Sequence, residues 1–239
     1  PVFTKYLSPE EFGIISIVSL IVTFLALVYN PGMMSGTMRL YHSTEDDHER
    51  KELIGSAHMF FLLVPLIPIL ICLLYGEYIF SITFKNFNFY PYGLLSLLLA
   101  FFIQPGRMWT TLLTLQYKVD KAAYYTAISV VLGLISATIL IVVFKMGAMG
   151  RVLAMFVPAL FLFIISLFTI KNYTHNIWSF NSVKKQLIFG MPLIVGLWAY
   201  QGLNFIGKYM LESLSTLENV GFYSIGLTLS TLPMFIVLG

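Results

Sequence analysis

Charge is what this chain has least of. Asp, Glu, Lys and Arg make up 10% of its 239 residues, against about 25% in a soluble domain, so a water-facing surface could not be covered. Cysteine is nearly absent. Cys72 is the single one; it lies in an apolar run with no partner, which excludes a disulfide scaffold and reads as a packed membrane thiol. An excess of either sign is missing too: 14 Lys and Arg against 11 Asp and Glu leave +3, too little to argue for a nucleic-acid partner. No phosphate-binding loop, nucleophile motif or pair of catalytic carboxylates is found, so the chain is not expected to be an enzyme and no cofactor is implied. There is no signal peptide ahead of the polar opening that ends in Glu10-Glu11. The missing initiator Met and the stop inside an apolar run at Gly239 read as a fragment.

Apolar residues, by contrast, reach 58%, aromatics 16% and mean hydropathy +0.85. A spanning helix needs roughly 20 mostly apolar residues, so seven would use about 140 positions, close to what that share supplies. The expected class is all-α, a polytopic transmembrane helical bundle with about seven spans visible. Their limits are Phe12–Tyr29, Leu53–Tyr75, Tyr92–Leu115, Ala122–Phe144, Val152–Ile170, Ile188–Leu211 and Val220–Leu238. No acid falls inside any of them. The connections after spans one, three and five carry eight basic residues (Arg39, Arg50, Lys51, Lys118, Lys121, Lys171, Lys184 and Lys185) against four on the other side (Lys5, Lys85, Lys145 and Arg151). The positive-inside rule then puts the odd-numbered connections in the cytoplasm. Tyr75, Tyr78, Tyr90, Tyr117 and Trp178 sit near span ends, as an interfacial belt requires.

Two segments echo each other. Phe12-Gly13-Ile14-Ile15-Ser16-Ile17 and Val220-Gly221-Phe222-Tyr223-Ser224-Ile225 both read apolar-Gly-x-x-Ser-Ile, 208 residues and six spans apart. An even number of spans means that both copies cross in the same sense, as in transporters built from two parallel halves. On that reading residues 1–186 are the first half without its first helix, and 187–239 begin the second, so the chain is a fragment of a two-lobed transporter of 12–14 helices.

Three more features bear on function. Gln104, Arg107, Thr111, Thr114 and Lys118 recur at helical spacing on the third span. An intramembrane Arg is costly to leave in lipid and is expected to face a wet cavity. Gln201, Asn204 and Lys208 form a similar face on the sixth span, and Arg39 follows Gly32-x-x-x-Gly36 at the cytoplasmic end of the first. Lys208 can also snorkel, and Gln201 and Asn204 can also bond neighbouring helices. The loop His42–Glu52 holds two His and five acids, but its order suits a helix start with acids on the first turn rather than a metal site. Asn172-Tyr173-Thr174 matches a glycosylation sequon and falls on the cytoplasmic side, where it would not be used.

The stretch Val183-Lys184-Lys185-Gln186-Leu187-Ile188-Phe189-Gly190-Met191-Pro192-Leu193, then Lys208-Tyr209-Met210-Leu211 and Val220-Gly221-Phe222-Tyr223-Ser224, resembles the polysaccharide repeat-unit flippases for O-antigen, teichoic acid and capsule. These belong to the multidrug/oligosaccharidyl-lipid/polysaccharide exporter superfamily. The opening Tyr6-Leu7-Ser8-Pro9-Glu10-Glu11-Phe12-Gly13, with Pro31-Gly32 and Arg39 after it, is similar too. The resemblance covers essentially the whole chain, as the second to eighth helices. Gly207-Lys208 departs from the Asp-Arg that members often carry: the base is kept and the acid is gone. The resemblance implies a transporter of the bacterial cytoplasmic membrane that flips lipid-linked, isoprenyl-pyrophosphate oligosaccharides for surface polysaccharides such as lipopolysaccharide. Its partners would be that lipid-linked oligosaccharide, membrane lipids and a coupling cation, with Arg39, Gln104, Arg107, Gln201, Asn204 and Lys208 lining the substrate cavity. A cation-coupled multidrug exporter is the alternative within the superfamily, and a membrane polysaccharide polymerase or ligase the alternative outside it.

Overall fold

The structure is a computed structural model that describes residues 3–174 and 178–238; the side chains of residues 172, 197, 200, 204 and 231–238 lie outside the described ones. Nine α-helices and no strand are found among the described residues: α1 (Pro9–Tyr29), α2 (Met33–Ser43), α3 (Asp47–Leu63), α4 (Leu66–Thr83), α5 (Leu94–Leu115), α6 (Val119–Thr138), α7 (Gly147–Ile170), α8 (Phe180–Leu214) and α9 (Leu217–Leu238). Short polar residues set their starts. Ser8 and Glu11 form a reciprocal capping box on α1, with Pro9 in the first turn. Asp46 caps α3 by accepting from His48 N at 3.0 Å, which bears out the helix start expected in the acidic loop. Ser179 accepts from Ser182 N to cap α8.

Prolines set the breaks. Asn30-Pro31-Gly32 ends α1, and Gly32 turns the chain at φ 92° into α2, a helix that the apolar pattern alone does not announce. Pro65 divides the second span into α3 and α4. Five helices or joined pairs are long and apolar enough to cross a membrane: Pro9–Tyr29, Asp47–Thr83, Phe89–Leu115, Val119–Val143 and Gly147–Ile170. α8 makes a sixth if its parts 180–196 and 201–214, bent by 50°, count as one. The seventh expected segment lies in α9, which stays helical to Leu238.

The ends of the bundle sort as alternating spans require. At one end Lys185 Nζ lies 3.2 Å from Glu49, beside Arg50 and Lys51, and Lys118 sits over the Tyr173 ring at 5.1 Å. At the opposite end Glu11 accepts from Ala148 N, and Glu212 meets the loop after α4. The first is the end that the charge bias assigns to the cytoplasm.

α5 is central to the bundle. It packs on α7 and α1 and contributes to both large apolar clusters. One cluster joins Ile17 and Leu20 to Phe80, Phe84, Phe89 and Leu97; the other joins Met33, Phe60 and Phe61 to Met108, Trp109 and Leu112. Large apolar side chains are left facing outward along α4 and α6, among them Ile67, Leu70, Leu74, Val130 and Leu134, as lipid contact demands. Tyr75, Tyr78, Tyr90 and Tyr117 are also exposed near helix ends.

Candidate functional site: an interhelical cavity closed at both ends

The two copies of the repeated motif meet. α1 and α9 pack extensively against each other. A Cβ on Gly13 would stand 1.9 Å from Leu217 O, and one on Gly221 would stand 1.9 Å from Pro9 O. Leu217 is Pro9 plus 208 and Gly221 is Gly13 plus 208, so the contact is reciprocal. One turn further, the hydroxyls of Ser16 and Ser224, also 208 apart, hydrogen-bond to each other. The register advances together on both helices, so they run in the same sense. Only glycine allows backbones this close.

Beside this junction Glu212, at 0% exposure, closes the same end. Its Oε1 accepts from Asn86 N at 2.6 Å and its Oε2 from Lys85 N at 3.3 Å, while Asn86 Nδ2 donates to Glu212 O and Ser215 O. The carboxylate is buried but answered by backbone donors.

At the other end α8 is fastened to α2 and α3. Gly32 and Gly190 are again in mutual backbone contact, each too close for a Cβ. Gln186, fully buried, accepts from the Thr37 hydroxyl and donates through Nε2 to Leu53 O at 3.3 Å. The Ser182 hydroxyl donates to Glu52 Oε1 at 2.6 Å, and Ser179 N donates to Ser56 Oγ.

Between the two junctions lies a cavity of about 350 Å³, framed by α1, α8 and α9. Ser19, Thr23, Trp198, Gln201, Phe205 and Lys208 are among its lining residues. Phe24 and Phe205 sit 5.3 Å apart, and Phe205 stacks on Tyr209 at 5.8 Å. Lys208 is its one cation, and no acid lines it among the described residues. The Lys208 ammonium gives an anionic solute a partner here, and the Ser19 and Thr23 hydroxyls, which donate to Ile15 O and Ser19 O, keep their oxygens free to accept from it.

The candidate residues do not all converge here. Gln201 and Lys208 do; the side chain of Asn204 lies outside the described residues. Gln104 is 1% exposed and donates through Nε2 to Ala26 O at 3.0 Å, so it ties α5 to α1. Arg107 was expected on the side of Gln201, but it lines a separate cavity between α5, α6 and α7. The reason is rotational: a three-residue step turns about 300° around a helix. Both α1 and α7 pack on α5, but Gln104 reaches α1 and Arg107 the groove beside α6 and α7. Thr111 and Thr114 follow Arg107 toward α6. Arg39 is exposed in a third recess with Ser35, Met38 and His42 near the end assigned to the cytoplasm. Trp198, Gln186, Glu212 and Arg151 were not among the sequence candidates. Glu212 falls one residue beyond the expected span, and Arg151 was counted with a connection although it lies in the first turn of α7.

The fold defines a polytopic helical membrane protein with a largely apolar, laterally open cavity between α1, α8 and α9. More particularly, the sequence model described as polysaccharide biosynthesis protein matches residues 1–239, and the chain belongs to that family. The family supports a membrane transporter's role in polysaccharide biosynthesis, with lipid-linked saccharide and membrane lipids as its general partners. No curated protein and no solved structure matches the chain.

Proposed function

We propose that the protein flips isoprenyl-pyrophosphate-linked oligosaccharide units across the bacterial cytoplasmic membrane by alternating access. On this reading residues 1–186 belong to one lobe and 187–239 to the other. The observation that supports it best is the cavity between α1, α8 and α9, sealed at each end by a close junction of the two lobes. Lys208 and Gln201 face the anionic head and its sugar, and Trp198 offers a flat face to the sugar. Arg39 meets the pyrophosphate at the cytoplasmic mouth. Arg107 acts from the neighbouring groove, and Gln104 holds α5 against α1 so that the cavity wall keeps its shape. Among the described residues no carboxylate lines the cavity, which disfavours a cation-coupled drug exporter, since such a carrier uses one to bind its cargo or its proton.

Translocation of a fluorescent isoprenyl-pyrophosphate oligosaccharide in proteoliposomes tests the reading. Lys208→Gln and Gln201→Leu should each slow it several-fold, at matched protein content. A Ser16→Cys/Ser224→Cys pair on a Cys72→Ala background should cross-link under oxidation and stop turnover until reduced. Wild-type rates from Lys208→Gln, Gln201→Leu and the oxidised cysteine pair would reject it.

A further inference from the structure

The cavity that received Arg107 carries a second, separate site. It occupies about 420 Å³ between α5, α6 and α7. Arg107 from α5 and Arg151 from α7 both line it, together with Ser129, Gly133 and Leu134 of α6 and Pro158 of α7. Neither guanidinium makes a hydrogen bond or ion pair among the described residues, and no Asp or Glu lines the cavity. Glu11, which reaches the start of α7, is already engaged by Ala148 N and Ser8 N.

Two unpaired arginines inside spanning helices are an expensive arrangement. Each costs about 2.5–3.5 kcal/mol at a helix centre on insertion scales, less where it reaches an interface. Arg151 lies one turn from the start of α7, whereas Arg107 lies thirteen residues into α5, roughly 20 Å along the axis. The nearer end of α5 is Leu115, eight residues or roughly 12 Å away, so the interface there relieves Arg107 only in part. An anion in the groove removes the cost for both, and a guanidinium fork matches phosphate oxygens better than any other side chain.

The walls say what kind of anion. Val130 and Leu134, which form the α6 side, are 56% and 57% exposed, so the lip of the groove is continuous with the outward apolar face of that helix. A free inorganic ion would leave this apolar wall unused. A sugar would find few partners, since Ser129 brings the one hydroxyl among the lining residues described. A lipid satisfies both parts, with acyl chains along α6 and a phosphate toward the arginines. Basic pockets between membrane helices recognise anionic lipid head groups in just this way. We propose that the α5–α6–α7 groove binds the phosphate of an anionic glycerophospholipid, drawn from the surrounding bilayer, through Arg107 and Arg151. This site is distinct from the cavity that holds Lys208, and its existence does not depend on the transport reading.

Native mass spectrometry of the purified protein tests it, with phosphatidylglycerol and phosphatidylcholine offered at equal concentration. Phosphatidylglycerol should be retained at least tenfold more. The Arg107→Gln/Arg151→Gln double variant should lose that preference, Arg107→Lys/Arg151→Lys should keep part of it, and Lys121→Gln, a cation outside the groove, should keep all of it. The wild-type protein gives an independent reading that needs no variant: phosphatidylglycerol should protect Arg107 and Arg151 from phenylglyoxal, and phosphatidylcholine should not. Equal retention of the two lipids, unprotected arginines, displacement by inorganic phosphate alone, or a preference for isoprenyl phosphate over phosphatidylglycerol would each overturn the proposal.

Discussion

The two ends of the cavity are closed by different means. At the end where α1 begins, helix backbones touch through Gly13 and Gly221, and the buried carboxylate of Glu212 is bonded to backbone N–H groups rather than to a charge. At the end where α8 begins, Gly32 and Gly190 make a similar approach, but around them stands a set of side-chain pairs: Gln186 with Thr37, Ser182 with Glu52, Lys185 with Glu49. The first closure is a steric backbone contact flanked by Glu212 and the Ser16–Ser224 pair; the second is set in a cluster of polar side-chain pairs. A steric closure depends steeply on shape and hardly on salt. A polar closure can exchange its partners for water or for a ligand's groups at modest net cost. A transporter whose cargo head carries phosphates and hydroxyls would meet matching chemistry at the polar end, and the glycine end would have to part without any such replacement.

The sharpest way to break this comparison is to add one methyl group to the steric closure. Gly13→Ala and Gly221→Ala each place a Cβ 1.9 Å from a backbone oxygen of the facing helix, and neither oxygen can swing away. Overpacking of this kind costs about 1–3 kcal/mol or more. The two variants should lose similar amounts of stability in denaturant titrations in micelles, because the contact is reciprocal. Gly226→Ala, with nothing within 4 Å of its Cβ, should instead gain up to about 1 kcal/mol from helix propensity. Equal effects of Gly13→Ala and Gly226→Ala would mean that α1 and α9 are not in backbone contact.

Next in size is Glu212. Glu212→Ala leaves Lys85 N and Asn86 N without their acceptor, and hydrogen bonds to a charged group contribute about 1.5–3 kcal/mol each way. The loss should be confined to the loop after α4, visible as faster amide exchange at residues 84–88. Exchange that rises equally along α1 would assign Glu212 a different place.

Gln186 comes third, on the polar side. Gln186→Leu fills the same space but removes one of the two acceptors of the Thr37 hydroxyl, which keeps Met33 O, and the amide donor to Leu53 O, at about 0.5–1.5 kcal/mol each. Pairing it with Thr37→Val should recover part of the loss, since removing both partners is gentler than removing one. Strict additivity in that double-mutant cycle would show that the two side chains are not coupled.

How much of this could be read beforehand depends on distance along the chain. The spans are legible because sparse charge and local hydropathy need no third dimension. The start of α1 is legible in Ser8, Pro9 and Glu11 for the same reason: the capping box closes within four residues. The repeated Gly-x-x-Ser-Ile was also visible, but not that its two copies would touch. Arg107 shows the limit. Its spacing from Gln104 announces a shared polar stripe, yet 60° of rotation separates a helix that faces α1 from one that faces α6 and α7. Arg151 was lost through a boundary error, since a basic residue at the edge of a run is assigned to a connection by default. Glu212 was lost in the same way. Gln186 carried no signal of its own, because a buried amide is recognised only by the Thr37 and Leu53 groups it meets more than 130 positions away.

The smallest expected effect tests how polar the polar end is. Lys185 Nζ lies 3.2 Å from Glu49 Oε1, with the two side chains 49% and 42% exposed. Both are open to water, so the pair is screened and is worth only about 0.2–1 kcal/mol. Lys185→Gln should therefore lower stability by no more than that, and raising the salt from about 0.05 to about 0.5 M should erase the difference from wild type. Ser182→Ala, a few residues away, removes the hydroxyl that donates to Glu52 at 2.6 Å and should cost about 1–2 kcal/mol at either salt concentration, because that bond is short and half-enclosed. The ratio of the two effects measures which interaction holds α8 to α3. A larger, salt-resistant loss from Lys185→Gln than from Ser182→Ala would make the closure an ion-pair gate and remove the distinction between charge and hydrogen bonding on which the comparison of the two ends rests.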